Sequence, residues 1–217
     1  MYLRSLFPPI PDVPTSNYFH TVFPDGSLEN QTNDYIIHID AITGQQRSVS
    51  QFTQDVHDTV TALGTKKSQG GGLGLNDQHR VGILSDNCME YVTIVLGLIG
   101  LTVPFVPLSP FATQWELSYC LKKADVTHIF VHKSYFARLI LAAGELDIPD
   151  ENIILFEGNT DSLDINEDWK RVRSFRSLLQ HVRTMKIPAE SIRPVQSDTL
   201  AYLIFSSGTT GPPKGIA

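Results

Sequence analysis

Four short runs of β-branched and apolar residues, at Arg80 to Leu84, Val103 to Leu108, Val126 to Val131 and Ile153 to Phe156, recur along the chain with helix-like stretches between them. Parallel strands cannot be joined by tight turns and are usually connected through helices, so this alternation builds βαβ units. Strands that read as near-continuous apolar runs are buried on both faces, which places helices on both sides of the sheet. The expected fold class is therefore α/β, with a largely parallel sheet and flanking helices. Local signals in the connections agree. Asp86-Asn87 can cap a helix starting near Met89. Thr113-Gln114-Trp115-Glu116 has the S/T-x-x-E form of a capping box, and its helix is expected to carry Trp115, Tyr119 and Cys120 toward a core. Further helices are expected near Tyr135 to Glu145 and Phe175 to Val182.

The N-terminal part reads differently. Residues 1 to 34 are rich in Pro, Asn, Ser and Thr and are expected to form an irregular arm, with the compact fold spanning 35 to 217. Tyr35 to Asp40 alternates apolar and polar residues, Thr43-Gly44 supplies a turn, and a β-hairpin returning through Gln46 to Val49 follows. Phe52, Val56, Val60 and Leu63 then recur at helical spacing, with Ser50 placed as the cap. Ser68 to Gly74 reads SQGGGLG. A dinucleotide-binding turn needs a strand before it and a helix after it, whereas this one follows a helix, so a flexible loop is the expectation. The mixed charges of Gly158 to Arg173 read as a solvated loop.

Composition removes several functions. Lys and Arg number 17 against 23 Asp and Glu, a formal net charge of -6, and no basic cluster stands out, which disfavours nucleic-acid binding. Cys88 and Cys120, each placed in a predicted apolar helix, are expected to be buried free thiols. The apolar stretch before the first prolines is too short for a secretory signal, and the one around Tyr91 to Val106 is interrupted by Gly97, Gly100 and Pro104 and falls short of a membrane span. A soluble, cytoplasmic protein is expected, with a peroxisomal one left open. His128 and His132 are four apart, but their segment looks like a strand and no third ligand stands at useful spacing, so no metal site is expected.

The chemistry concentrates at the end of the chain. Leu203 to Ala217 reads LIFSSGTTGPPKGIA, an apolar β-type run opening into a Gly/Ser/Thr loop. Gly208, Gly211 and Gly215 let backbone N–H groups approach an anion closely. Ser206, Ser207, Thr209 and Thr210 add hydroxyl donors, and Lys214 brings a compact positive charge. Pro212 and Pro213 stiffen the segment that carries Lys214. This is a candidate phosphate-binding loop. A Walker A loop is excluded because Pro213, not Gly, precedes Lys214 and Gly215, not Ser or Thr, follows it. Ser206 and Ser207 stand in no G-x-S-x-G elbow, so they are not expected to act as nucleophiles. The competing reading is a glycine-rich hairpin turn that happens to contain a lysine.

Phe205 to Gly215 resembles the signature of the adenylate-forming superfamily. That superfamily takes in acyl-CoA synthetases, 4-coumarate-CoA-ligase-like enzymes, nonribosomal-peptide adenylation domains and luciferases. Its loop runs Tyr or Phe, Ser or Thr, Ser, Gly, Ser or Thr, Thr, Gly, any residue, Pro, Lys, Gly, and this chain satisfies every position. Arg80 to Pro110 and Ser197 to Tyr202 are similar to the segments leading to that loop. One departure stands out: the family commonly has Ala-Gly where Leu101-Thr102 stands here, which bears on the tightness of that helix-to-strand turn.

The resemblance implies an acid:CoA ligase. Such an enzyme uses ATP with Mg2+ to activate a carboxylic acid as acyl-adenylate, then transfers the acyl group to CoA. It implies that Ser206, Ser207, Gly208, Thr209, Thr210, Gly211, Pro213, Lys214 and Gly215 hold the β- and γ-phosphates. A multidomain adenylation protein, nonribosomal-peptide-synthetase-like or carboxylate-reductase-like, and a non-catalytic module that keeps the fold are the alternatives. Complete members are more than twice this length, and their acid pocket, Y-G-x-T-E segment, T-G-D motif and C-terminal lysine would lie beyond Ala217. The expectation is thus an N-terminal fragment, inactive by itself.

Overall fold

The computed structural model describes residues 17–22, 34–156, 172–196, 198–206 and 212–217. The expected charged loop from Gly158 lies outside the described residues, apart from its end. The first described element is a short helix, α1 (Tyr18–Val22). Asn17 beside it is buried and donates to the carbonyls of Ile99, Gly100 and Arg193, while Phe19 sits in the core at 1% exposure. The described piece of the arm is thus helical and anchored, not irregular.

The expected hairpin forms from β1 (Ile36–Ile39) and β2 (Gln46–Ser48), antiparallel, with Gly44 at φ 72° in its turn. It leads into α2 (Val49–Gly64). The cap is Ser48, not Ser50: Ser48 accepts from Gln51 N–H, and the Gln51 side chain accepts from Ser48 N–H. Strand pairing delivers Ser48 in extended conformation at the last position of β2, while Ser50 lies inside the helix and binds Asp34.

SQGGGLG is an ordered connection, contrary to the expected flexible loop. A single helical turn, α3 (Lys67–Gly70), is followed by backbone bonds that fold the segment onto α2, Leu73 N–H to Ala62 O and Gly74 N–H to Thr65 O, both 3.0 Å. A Cβ on Gly72 would lie 2.2 Å from Thr65 O. Close packing, not ligand binding, accounts for that glycine.

The main sheet consists of β3 (Val81–Leu84), β4 (Phe105–Leu108), β5 (His128–Val131), β6 (Ile153–Leu155) and β7 (Arg173–Ser174), all parallel in the order β4-β3-β5-β6-β7. Helices α4 (Met89–Gly100), α5 (Gln114–Lys123), α6 (Lys133–Gly144) and α7 (Phe175–Met185) cover it. Successive strand residues point to opposite faces. Ile83, Phe130 and Ile154 accordingly join one apolar cluster with α2, α4 and α7, while Leu84, Ile129 and Leu155 join a second with α5 and α6. Each fully buried side chain of this kind stabilises the fold by about 1.5–3 kcal/mol, and Phe130→Ala is expected to cost about 3–5 kcal/mol.

Three details differ from expectation. Asp86 does not cap α4. Cys88 occupies the N-cap position without a side-chain bond, while Asp86 accepts from the Tyr135 hydroxyl. Cys88 is therefore outside the helix and half-buried, whereas Cys120 is buried in α5, and both are free. The Thr113–Glu116 capping box is present, but Trp115 stays 59% exposed and stacks on Tyr119 at 5.4 Å, leaving Leu117, Cys120 and Leu121 as the buried residues of α5. Thr102 takes φ 54°, the left-handed conformation that glycine favours. It closes a tight Schellman turn after α4, with Thr102 N–H on Ile99 O at 3.0 Å and Val103 N–H on Leu98 O at 2.9 Å.

Candidate functional site

The sheet leaves a polar rim at the carboxyl ends of its strands. From β3 the chain crosses to β4 on one side, and from β5 to β6 on the other, so the direction of winding switches between β3 and β5. In open α/β sheets ligands bind outside the carboxyl ends near such a switch. The groups standing there are Ser85 and Asp86 after β3, Ser109 and Pro110 after β4, and His132 after β5. His132 is the N-cap of α6 and accepts from Ser134 N–H. Arg138 of α6 reaches over the Tyr135 ring, 5.5 Å from its centroid, and donates Nη2–H to Pro110 O. It thereby ties α6 to the loop after β4.

The candidate phosphate loop is carried by a hairpin beside this rim. β8 (Ile204–Ser206) and β9 (Lys214–Ile216) pair antiparallel in the register Ile204–Ile216, Phe205–Gly215, Ser206–Lys214. The hairpin is tethered to the sheet edge through the segment before it. Phe105 N–H donates to Ala201 O at 3.2 Å and Leu203 N–H to Phe105 O at 2.9 Å, making Tyr202 a parallel neighbour of β4. Further upstream, Arg193 is tied to the end of α4, its N–H donating to Gly100 O and its Nη1 to Leu101 O.

Of the residues expected to hold phosphate, Ser206, Pro213, Lys214 and Gly215 are described, and Ser207, Gly208, Thr209, Thr210 and Gly211 lie outside the described residues. Ser206 and Lys214 are direct cross-strand partners, and Ser206 Oγ donates to Lys214 O at 3.5 Å. The Lys214 side chain is exposed. Gly215 lies under the Phe205 ring, whose nearest carbon would be 3.3 Å from an added Cβ. The hairpin of the competing reading is thus present, and it brings a hydroxyl and a cation to the two ends of the loop.

Behind the hairpin lies a cavity of about 250 Å3, walled by the end of β4, by α5 and by Phe205, Ser206 and Pro213. Sequence reasoning missed both this cavity and the Phe205–Gly215 pairing. The pairing follows from the register of the hairpin, which alternation of side chains alone does not fix.

His128 and His132, four apart in sequence, stand in different settings, His128 on β5 and His132 at the start of α6. His128 is buried on β5, its ring 5.1 Å from that of His79, and burial with the nearby positive groups pushes its pKa down to about 4. No group of three or more metal-binding side chains occurs among the described residues. No helix among them is long and apolar enough to cross a membrane.

Comparison with known proteins completes the picture. The long-chain-fatty-acid–CoA ligase 1 of Cavia porcellus is 28% identical over 163 residues, 75% of this chain and 23% of that protein. Surfactin synthase subunit 1 of Bacillus subtilis (strain 168) is 27% identical over 146 residues, 66% of this chain and 3% of that protein. The chain therefore spans less than a quarter of either relative. Among solved structures, the anthranilate CoA ligase AuaEII in complex with anthranoyl-AMP shares the fold at a TM-score of 0.70 and 19% identity, over 93% of this chain and 34% of that one. The family model described as AMP-binding enzyme matches residues 69–217, from the glycine-rich connection before β3 through the hairpin, and the chain belongs to that family.

Proposed function

We propose that this chain is part of an acid:CoA ligase, and that its hairpin loop grips the β- and γ-phosphates of ATP while a carboxylate attacks the α-phosphate. The observation that carries the reading is the Ser206–Lys214 register, which sets a hydroxyl and an ammonium at the two mouths of a loop rich in Gly and Thr. As the carboxylate oxygen bonds to the α-phosphorus, the bond to the bridging oxygen breaks and negative charge accumulates on the departing pyrophosphate. Donors fixed in place before that charge develops lower the barrier. Ser206, Ser207, Thr209 and Thr210 would donate hydroxyls, Gly208 to Gly211 backbone N–H groups, and Lys214 the neutralising charge. Mg2+ would accompany the nucleotide and offset part of its phosphate charge, beside the positive charge of Lys214. In the second step the CoA thiol would take the acyl group and release AMP.

The domain assignment is part of the proposal: an arm at 1–34 and the N-terminal portion of an adenylation domain at 35–217, in a cytoplasmic protein. Groups that contact the acid, adenine and thiol would come from sequence other than this chain, so the chain alone is proposed to be inactive. Pyrophosphate exchange with a panel of aliphatic and aromatic acids tests this. Exchange by the chain clearly above background would refute the inactivity, and absence of acid-dependent exchange by a longer protein containing it would refute the ligase reading.

The likeness to surfactin synthase subunit 1 supports a second reading, in which adenylation is the same and the acceptor is a carrier-protein thiol. Formation of free acyl-CoA by the longer protein distinguishes the two.

A further inference from the structure

The cavity behind the hairpin has a chemistry that phosphate binding does not use. At about 250 Å3 it holds roughly ten heavy atoms, on the scale by which a cavity of about 150 Å3 admits benzene. Its walls are largely apolar, with Leu108 from β4, Leu117 and Cys120 from α5, Phe205 from β8, and Pro213. Glu116 is the only charged side chain among the described residues lining it. Hydrogen bonds from the Thr113 backbone and hydroxyl hold the Glu116 carboxyl below the usual carboxylate range, so it is ionised at neutral pH. Both bonds fall on Oε2, at 2.7 and 2.9 Å, and Oε1 accepts none among the described residues. An anion in this cavity would meet the carboxylate as a like charge. A neutral hydrocarbon would leave the carboxylate unanswered. A cation with an apolar body answers both the wall and the carboxylate.

We propose that this cavity is a binding site for a small apolar amine, with its ammonium group on Glu116 and its hydrocarbon body against Leu108, Leu117 and Phe205. Its ligand chemistry is opposite to that of the loop, cationic and apolar instead of polyanionic. Ser206 and Pro213 belong to both, so a bound amine braces the two strand ends from which the loop springs.

Benzylamine is the probe, with benzoate and toluene as controls of similar body and different charge, followed by NMR shift titration and thermal unfolding of the full chain. Benzylamine should shift the resonances of Leu117 and Phe205 and raise Tm in a concentration-dependent way, more strongly than toluene, and benzoate should do neither. Glu116→Gln keeps a residue able to complete the capping box and should weaken benzylamine about tenfold through loss of the charge-assisted bond. Ala112→Leu, which narrows the cavity, should weaken it without altering the charge. Lys214→Ala should leave benzylamine binding intact, so the outcome is independent of the phosphate reading. Benzoate or toluene binding as tightly as benzylamine, unchanged affinity in Glu116→Gln, or no shift with any probe would overturn the proposal.

Discussion

Phe205 and Gly215 are cross-strand partners in the hairpin, and the ring of Phe205 occupies the space where a side chain at 215 would begin, 3.3 Å from an ideal Cβ. The glycine is thus a packing requirement as well as a backbone convenience. Gly215→Ala asks the ring to yield by a few tenths of an ångström, and Gly215→Val asks much more, because its branched carbons meet the ring itself. The hairpin is largely exposed, so global stability should fall by less than about 1 kcal/mol. The loop ends should shift. Stabilisation of the chain by pyrophosphate, read as a rise in Tm, should shrink in Gly215→Ala and vanish in Gly215→Val. Equal responses in all three proteins would show that the pairing does not set the loop.

Thr102 closes the turn after α4 in the left-handed region, at φ 54°. A β-branched residue there carries strain of about 1–3 kcal/mol, while glycine, free of that strain, gives back about 0.5–1 kcal/mol through the freedom of its unfolded chain. Thr102→Gly should therefore stabilise the protein by about 1 kcal/mol, seen as a higher urea midpoint at unchanged slope. Thr102→Val keeps the branching and should not. A destabilised Thr102→Gly would mean that the Thr102 hydroxyl contributes more than the strain removes.

His128 makes stability depend on pH in a predictable direction. Its folded pKa lies near 4 against an ordinary 6.5, with burial the main cause and His79 and Lys67 adding to it. Between those values the unfolded chain binds a proton that the folded one does not, so the contribution is complete above pH 6.5 and is lost as pH falls toward 4. The shift corresponds to at most about 3 kcal/mol. Urea midpoints should fall between pH 7 and pH 4.5 in the natural protein and less steeply in His128→Gln. Parallel falls would assign the acid sensitivity to other groups.

How much of this was readable from the residues depends on what physics each feature rests on. The parallel sheet was legible because all four residues of Val81 to Leu84 are buried, which leaves a continuous apolar run. Strand starts were less so, since Val103 and Pro104 look like strand but Val103 N–H is spent on the turn after α4. Ser48 and Ser50 are equally good caps by type, and only the register of β1 with β2 chooses between them. Trp115 looks like a core residue until the position of α5 against the sheet turns Leu117 and Leu121 inward. At the candidate site, Ser206 and Lys214 were legible as residue types at fixed spacing, and the structure pairs them across the hairpin. The cavity was not, because it exists only where α5, the end of β4 and the hairpin meet.

Lys214 provides the sharpest test of the proposed chemistry. If its ammonium neutralises charge on the departing pyrophosphate, Lys214→Ala in a longer protein containing this chain should slow adenylation more than it weakens acid binding, because the charge it meets grows toward the transition state. The loss should be about 2–4 kcal/mol, roughly 30- to 1000-fold in rate, as for removal of a single oxyanion-hole donor. Lys214→Arg should recover only part of it, since a planar fork does not replace a compact ammonium on a strand that begins directly after Pro213. The discriminating measurement compares the full two-step reaction with thiol capture of a supplied acyl-adenylate, which involves no pyrophosphate. Lys214→Ala should impair the first and spare the second. Equal impairment of both would make Lys214 a structural residue of the hairpin and remove it from the phosphate site.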